Sequence, residues 1–534
     1  MPTMEMEYLP GEAGPEAITL EEALERIPLG LFQWRLLCMC GFAFMADALE
    51  VNLLTFLATC VGIDWGLSDT QQAAITGIVF IGIIAGTLFW GIFADRFGRR
   101  SAYFYACFLV SFFGFLSGAS PNFLALILFR SITGFGLGAM DIPFDLLAEF
   151  LPDETRGKFC TYIMYFWTLG SLMVTGLAWA FLSQGGWRML TYLTAVPVAL
   201  VSLFSLLYLP ESPHWLLVKG RREEAEQVLR DAAAVNGVTL APFTLLLEGE
   251  DAEHATYAEL LQDKGVRQVT LSLWVVWLMF GATYYGLILY VGRLYETHSE
   301  AGCSFQYGPI FFNAASEIVG CTLAVLVIDS WGRRTSQSVF YLLSGMAVLT
   351  LGLGLSPRSV MAVAMVARFC SKTALSATWV ATPELHSTRL RTVGHASCFA
   401  LSKLGAFASP FLVTSHASNA TVGVVLALMN VIGAVACRFL PETGGKASGC
   451  LSLSVPASPE ASRDGAYSLY QMTSSVLRLY NGYSSLASTY PGHPHGRGRS
   501  DTEDAEETTF SALSVRPEGE EVRHYKPKRS PNIS

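Results

Sequence analysis

The sequence predicts an all-α polytopic membrane protein of twelve helices in two six-helix halves, and three observations carry the prediction. Only 15% of the 534 residues are charged while 52% are hydrophobic, against roughly 25% charged in soluble domains. Long apolar runs alternate with charge clusters, each run long enough to cross a hydrocarbon core of roughly 30 Å as a helix. The second set of six runs repeats the first.

The runs fall at 36–62, 71–93, 101–119, 123–147, 159–182 and 188–209, then at 269–291, 307–328, 336–355, 359–381, 394–414 and 420–440. Helices are expected because hydrocarbon cannot satisfy an open backbone. Residues 1–35 read as an arm with a short amphipathic helix, acidic through Glu5, Glu7, Glu12, Glu16, Glu21, Glu22 and Glu25. The arm shows no basic stretch followed by a short apolar core, so the first apolar helix is expected to target the chain to the membrane. Residues 210–267 are polar and helix-prone and read as a soluble linker. Residues 441–534, rich in Ser, Gly, Pro and Glu, read as a disordered tail.

Lys and Arg are distributed unevenly between the two sets of loops. One set holds Arg96, Arg99, Arg100, Arg156, Lys158, Lys219, Arg221, Arg222, Arg333, Arg334, Arg389 and Arg391; the other holds Arg188, Arg293 and Arg358. The basic set is expected to be cytoplasmic. An even number of spans then puts both termini on that side. The sequon at Asn419 lies on the opposite side, so close to the membrane that a plain helix-start reading is preferred over glycosylation.

The repeat is visible residue by residue. Asp95-Arg96-Phe97-Gly98-Arg99-Arg100 recurs 234 positions later as Asp329-Ser330-Trp331-Gly332-Arg333-Arg334. Glu149 and Arg156 recur 235 positions later as Glu384 and Arg391, and Pro210-Glu211-Ser212 recurs as Pro441-Glu442-Thr443. A duplicated six-helix unit places a binding site at the midplane between the halves.

Other classes find little support. The eleven cysteines are scattered, many within apolar runs (Cys38, Cys40, Cys107, Cys321, Cys398), with no metal-type spacing, and read as small apolar residues. No basic stripe with interleaved aromatics suggests nucleic acid. No nucleophile–base pair, metal cluster or phosphate loop suggests an enzyme, and no cofactor is implied.

These motifs resemble the major facilitator superfamily. Gly91-xxx-Asp95-Arg96-x-Gly98-Arg99-Arg100 is similar to its loop signature between the second and third helices, and Arg130-xxx-Gly134-xxx-Gly138 to its fourth-helix signature. Pro210-Glu211-Ser212-Pro213 resembles the sixth-helix end of sugar and organic-ion porters. Phe32-Gln33-Trp34-Arg35, Ala46-Asp47-Ala48-Leu49-Glu50, Ala148-Glu149-Phe150-Leu151-Pro152, Tyr284-Tyr285-Gly286 and Thr382-Pro383-Glu384-Leu385 resemble the branch of synaptic vesicle protein-related (SVOP-like) proteins and nicotinate porters. The likeness covers residues 19–445. Several positions depart from it: His386-Ser387 replaces an aromatic and a proline, Ser330 replaces an Arg, and Asp141, Asp145 and Lys372 add charge. The Gly-Pro-rich fifth-helix signature of drug–proton antiporters is missing around Gly170 and Gly176. The resemblance implies alternating-access transport of a small organic ion by a monomeric unit, in a plasma or vesicle membrane. The alternative on the same fold is a non-transporting receptor or vesicle scaffold.

Buried charge marks the candidate pathway, because an ionised side chain at mid-bilayer costs about 2.5–3.5 kcal/mol on insertion scales. Asp47 and Glu50 share one face of the first helix. Asp141, Asp145 and Glu149, spaced by four, are expected to form one stripe with Arg130 on helix four, and Pro143 is expected to free a carbonyl near residue 139. Arg130 is then a partner for Asp141 or Asp47, or a brace between helices. The second half carries Arg368, Lys372 and Lys403, with Glu317 as a neutralising acid. Two readings stand: an acidic half for a proton and a basic half for an organic anion, or internal ion pairing between the halves. Trp167, Tyr284 and Tyr285 either stack on an aromatic solute or pack the core. For the gate, Gly91 is expected to allow close helix approach. Asp95, Arg96 and Arg100 with Glu149 and Arg156, and Asp329 and Arg333 with Glu384 and Arg391, are expected to latch one end.

Overall fold

The computed structural model describes residues 16–246, 256–299, 302–387, 390–414 and 417–443. In chain order the elements of the first half are β1 (Glu16–Ile18), α1 (Leu20–Glu25), α2 (Leu31–Trp65), α3 (Asp69–Phe97), α4 (Arg99–Gly118), α5 (Phe123–Leu137), α6 (Ile142–Ala148) and α7 (Asp153–Tyr208). The connection holds α8 (Pro213–Val218), α9 (Arg222–Val235), β2 (Phe243–Leu245) and α10 (Glu259–Gln262). The second half holds α11 (Lys264–Leu294), β3 (Glu296–Ser299), β4 (Gly302–Phe305), α12 (Tyr307–Trp331), α13 (Arg333–Leu351), α14 (Pro357–Glu384), α15 (Arg391–Val413) and α16 (Asn419–Cys437). The tail from residue 444, residues 1–15 and the middle of the linker lie outside the described residues.

Ten described helices are long and apolar enough to cross a membrane. One of them, 155–208, is two crossings broken at Gly186, whose φ of 65° is open to glycine without strain. The 19-residue α13, which opens on the polar run Arg333-Arg334-Thr335-Ser336-Gln337, is the twelfth crossing. Side-chain caps start the helices at the end opposite the basic loops. Ser68, Asn122, Ser356 and Ser418 each accept a hydrogen bond from the first-turn backbone N–H three residues on, satisfying a donor that lipid could not.

Packing follows the repeat. In the first half α2 lies on α7 and α3 on α5; in the second α11 lies on α15 and α12 on α14. The halves meet through α3 with α15 and α7 with α12, which are repeat-related pairs. Backbones approach closely at repeated glycines: a Cβ at Gly86 would strike the Phe135 carbonyl and one at Gly320 that of Phe369, while Gly170 faces the Met45 carbonyl and Gly405 that of Leu278. Gly91 does not do this. A Cβ there would meet open space, and the close approach expected of it occurs one and two turns earlier, at Gly86 and Gly82, against Gly134 and its neighbours.

Three features depart from the sequence reading. The fourth crossing is not one helix. It stops at Leu137, turns through 138–141 and restarts as α6 with Pro143 in its first turn, where a missing N–H costs nothing. The break interrupts the expected stripe from Arg130 to Glu149, and the Ala139 carbonyl, rather than being freed, accepts the Ile142 N–H at 3.1 Å.

The arm and linker are also not independent segments. β1 pairs in parallel with β2, and Ile18, Leu24 and Ile27 share an apolar cluster with Trp215, Leu216, Leu229 and Phe243. Asn236 joins them to α2, accepting from Phe32 N at 2.8 Å and donating to the Pro28 carbonyl and the Gln33 amide oxygen, each at 2.8 Å.

Finally, two cysteines are not simply small apolar residues. Cys60 near the end of α2 is disulfide-bonded to Cys303 in the antiparallel β3–β4 hairpin, joining the two halves at the end opposite the basic loops.

Candidate functional site

At the middle of the helices the halves enclose a cavity of about 30 Å³, room for a water or two. Its lining includes Asp47, Asp141 and Trp167 from the first half and Tyr284, Tyr285, Lys372 and Lys403 from the second. Toward the basic loops it is closed by an aromatic plug: Phe144 lies 5.2 Å from Trp379 between ring centroids, Phe44 6.2 Å from Trp379, and His395 4.9 Å from Trp379. Toward the other end, Phe56 packs on Phe305 at 5.1 Å and the hairpin disulfide follows.

The charges inside are sorted by half. Glu50, one turn from Asp47, turns away from the cavity and accepts from Arg130 Nη1 at 2.8 Å, both side chains being 1% exposed. Arg130 therefore holds Glu50, not Asp141 or Asp47: the break after Leu137 separates Asp141 from the Arg130 face. Asp47 Oδ1 is buried without a hydrogen-bond partner. Lys403 Nζ donates to the Tyr285 hydroxyl at 2.8 Å and lies 4.4 Å from the Phe399 ring centroid.

In the second half Glu317, fully buried, lies beside two bases and balances the charge of one. Its Oε1 accepts from Arg368 Nε and from the Tyr284 hydroxyl, each at 2.6 Å; Lys372 Nζ lies 3.8 Å from Oε2. Oε2 also accepts from the Thr168 hydroxyl at 3.0 Å, a bond across the interface between the halves. The pairs Glu50–Arg130 and Glu317–Arg368 each lie within one half, while Asp47 and Asp141 lie in the electrostatic surroundings of Lys403 on the other.

Asp145 sits on α6, outside the cavity lining, in the electrostatic surroundings of Arg99. Arg99, not Arg96, is the base of the first loop cluster: Nη1 is 2.9 Å from Asp95 and Nε 3.8 Å from Glu149. Arg96 extends instead over the Phe97 ring. The reason is the turn at Gly98, at φ 100°, which starts a new helix with Arg99 set against Asp95 and Glu149, whereas Arg96 stays exposed on α3. Arg100 donates to the Leu206 carbonyl, and Arg156 donates to the Ala148 and Leu151 carbonyls at the end of α6. In the second half Arg333 grips Glu384 through Nε at 3.1 Å and Nη2 at 3.2 Å, and Thr443 donates to the same carboxylate. Arg391 opens α15; the Asp329 side chain lies outside the described residues. Each of these contacts lies within one half.

The repeated Pro-Glu-Ser/Thr motif has a role that the sequence reading missed. Glu211 accepts from the backbone N–H groups of Arg99 and Arg100 at 2.7 and 3.2 Å; Glu442 does the same for Arg333 and Arg334 at 2.6 and 3.2 Å. Each carboxylate thus caps the N-terminus of the third helix of its half, where the helix dipole favours negative charge. Gly98 and Gly332, at φ 100° and 81°, leave room for it: a Cβ on either would strike the carboxylate. Thr168 and Cys303 were missed because a hydroxyl in an apolar helix and an isolated loop cysteine carry no spacing signal.

Twelve crossings in two repeats, closing on a charged cavity at mid-depth, define a membrane protein of the major facilitator superfamily, a class of transporters. The chain matches the family described as "Sugar (and other) transporter" over residues 29–448, and it belongs to that family. Among its relatives, the transporter-like svop-1 of Caenorhabditis elegans is 32% identical over 452 residues, covering 81% of this chain and 86% of that protein. The synaptic vesicle 2-related protein of Rattus norvegicus is 30% identical over 455 residues (81% and 82%), and organic cation/carnitine transporter 7 of Arabidopsis thaliana is 28% identical over 481 residues (81% and 96%). The fold is shared with the partially occluded inward-open xylose transporter XylE of E. coli, with a TM-score of 0.62 at 18% identity over 78% of this chain and all of that one.

Proposed function

We propose that this protein moves a small organic ion across a membrane by alternating access, in symport with protons. The observation that carries the reading is the division of charge in one cavity: Asp47 and Asp141 of the first half and Lys372 and Lys403 of the second line it together, along with Trp167, Tyr284 and Tyr285. Acids able to take protons lie on one half and bases able to hold an anion on the other, so rocking the halves alters both together. The kinship with an organic cation/carnitine transporter supports an organic cargo. The basic loops, and with them both termini, are cytoplasmic in this reading, and one chain is the working unit.

The Cys60–Cys303 bond, which ties the halves at one end, favours a second reading: a receptor or vesicle scaffold that does not transport. Reconstitution decides between them. Proteoliposomes with and without an outside-acid pH gradient, screened against labelled organic anions and cations, should accumulate one class only with the gradient. Exchange that is indifferent to pH would remove the proton, and no flux of any ion in oxidised or reduced vesicles would leave the scaffold.

A further inference from the structure

We propose that Lys372 Nζ and Trp167 Nε1 form a carboxylate subsite in the central cavity, and that Thr168 keeps it available; this rests on the organic-ion reading above. Among the described residues both nitrogens are buried without a hydrogen-bond partner, and both residues line the cavity. An ammonium and an indole N–H have no acceptor capacity, so the group that completes them is an acceptor. Leaving a buried donor unmatched is unfavourable, and more so when it is charged. A carboxylate supplies two acceptor oxygens and the neutralising charge. The rings fit the same solute: Lys372 Nζ lies 5.5 Å from the Trp167 centroid and 5.9 Å from that of Tyr284, so an anion held there has aromatic faces beside its carbon body. Lys403 is the weaker candidate because its ammonium already donates to Tyr285.

What leaves Lys372 uncommitted is Thr168. Glu317 Oε2 is 3.8 Å from Lys372, an ion pair without a hydrogen bond, while the Thr168 hydroxyl on the other half donates to that oxygen at 3.0 Å and takes one of its acceptor sites. When the halves part along α7 and α12, Thr168 withdraws. Oε2 then lacks a donor, Lys372 swings onto it, and the solute loses its partner. Thr168 is thus a positioning residue that converts separation of the halves into release.

The test uses full-length protein in detergent with labelled benzoate as the probe, benzamide as its uncharged analogue and chloride as competitor. The parent should bind benzoate and ignore benzamide. Lys372→Gln should weaken binding tenfold or more, and Trp167→Phe, which keeps the ring and removes the N–H, several-fold. Thr168→Val should weaken it about tenfold and Thr168→Ser restore it, at unchanged melting temperature. In vesicles Thr168→Val should raise KM with little change in maximal rate. Benzoate binding unaffected by Lys372→Gln or Trp167→Phe, or fully displaced by millimolar chloride, would overturn the subsite. A Thr168→Val protein that binds as the parent does would overturn the positioning role. If the parent binds no benzoate while its vesicles carry another ion, the carboxylate subsite falls and the transporter reading stands.

Discussion

Glu50 of α2 and Arg130 of α5 meet at 2.8 Å with each side chain 1% exposed, so two charges at membrane depth neutralise one another inside the first half. Removing one partner of such a pair leaves the other unpaired, at a cost of about 3–5 kcal/mol, whereas removing both is far milder. Glu50→Ala and Arg130→Ala should each lower the melting temperature of the purified protein sharply. Glu50→Gln with Arg130→Met should recover most of the loss. Independent, additive effects in the double-mutant cycle would show that the pair is not coupled.

The disulfide makes a covalent prediction. With a protease site inserted after Gly237, the cut chain should migrate as one species without reductant and as two fragments with it, because Cys60 and Cys303 lie on opposite sides of the cut. Cys60→Ser should separate the fragments in both gels. Separation of the parent fragments without reductant would show the bond unformed.

The loop clusters predict different consequences for neighbouring arginines. Arg99 reaches Asp95 and Glu149, while Arg96 lies over Phe97. Arg99→Ala should shift the inward–outward equilibrium by about 1–3 kcal/mol, the usual range for such coupling. Alkylation of a cysteine placed beside the aromatic plug reads that shift. Arg96→Ala should leave alkylation as in the parent; an equal effect of the two would contradict the assignment.

Asn236 ties the arm to the linker by three hydrogen bonds. Asn236→Ala should release the arm by about 1–3 kcal/mol and speed tryptic cutting at Arg26, without changing the melting of the membrane helices. Unaltered cutting would mean that the β1–β2 pairing and the apolar cluster suffice.

The acids of the cavity separate coupling from cargo. Asp47→Asn should retain solute exchange but lose accumulation driven by a pH gradient, and the same substitution at Asp141 tests the other acid lining the cavity. Accumulation by both neutral variants at the parent rate would exclude these carboxyls as the proton site.

The twelve crossings and their division into two repeats were legible in the sequence because each depends on local properties: run length against bilayer thickness, and motifs that recur along the chain. Asp47, Lys372 and Lys403 could be read as candidates for the interior, since buried charge is conspicuous in an apolar run. Partner choice was not legible. Helical spacing put Arg130 and Asp141 on one face, but the turn at 138–141 rotates Asp141 away and brings Glu50 across from another helix. Arg99 displaced Arg96 because the turn at Gly98 starts a new helix. Glu211 became a cap, and Cys60 found a partner 243 residues away. Thr168 was invisible, because a hydroxyl acquires meaning only from what stands opposite it. Sequence alone determined what must lie in the membrane. Tertiary structure decided which charge meets which, because that depends on breaks, rotations and the facing helix, none of which is a property of one segment.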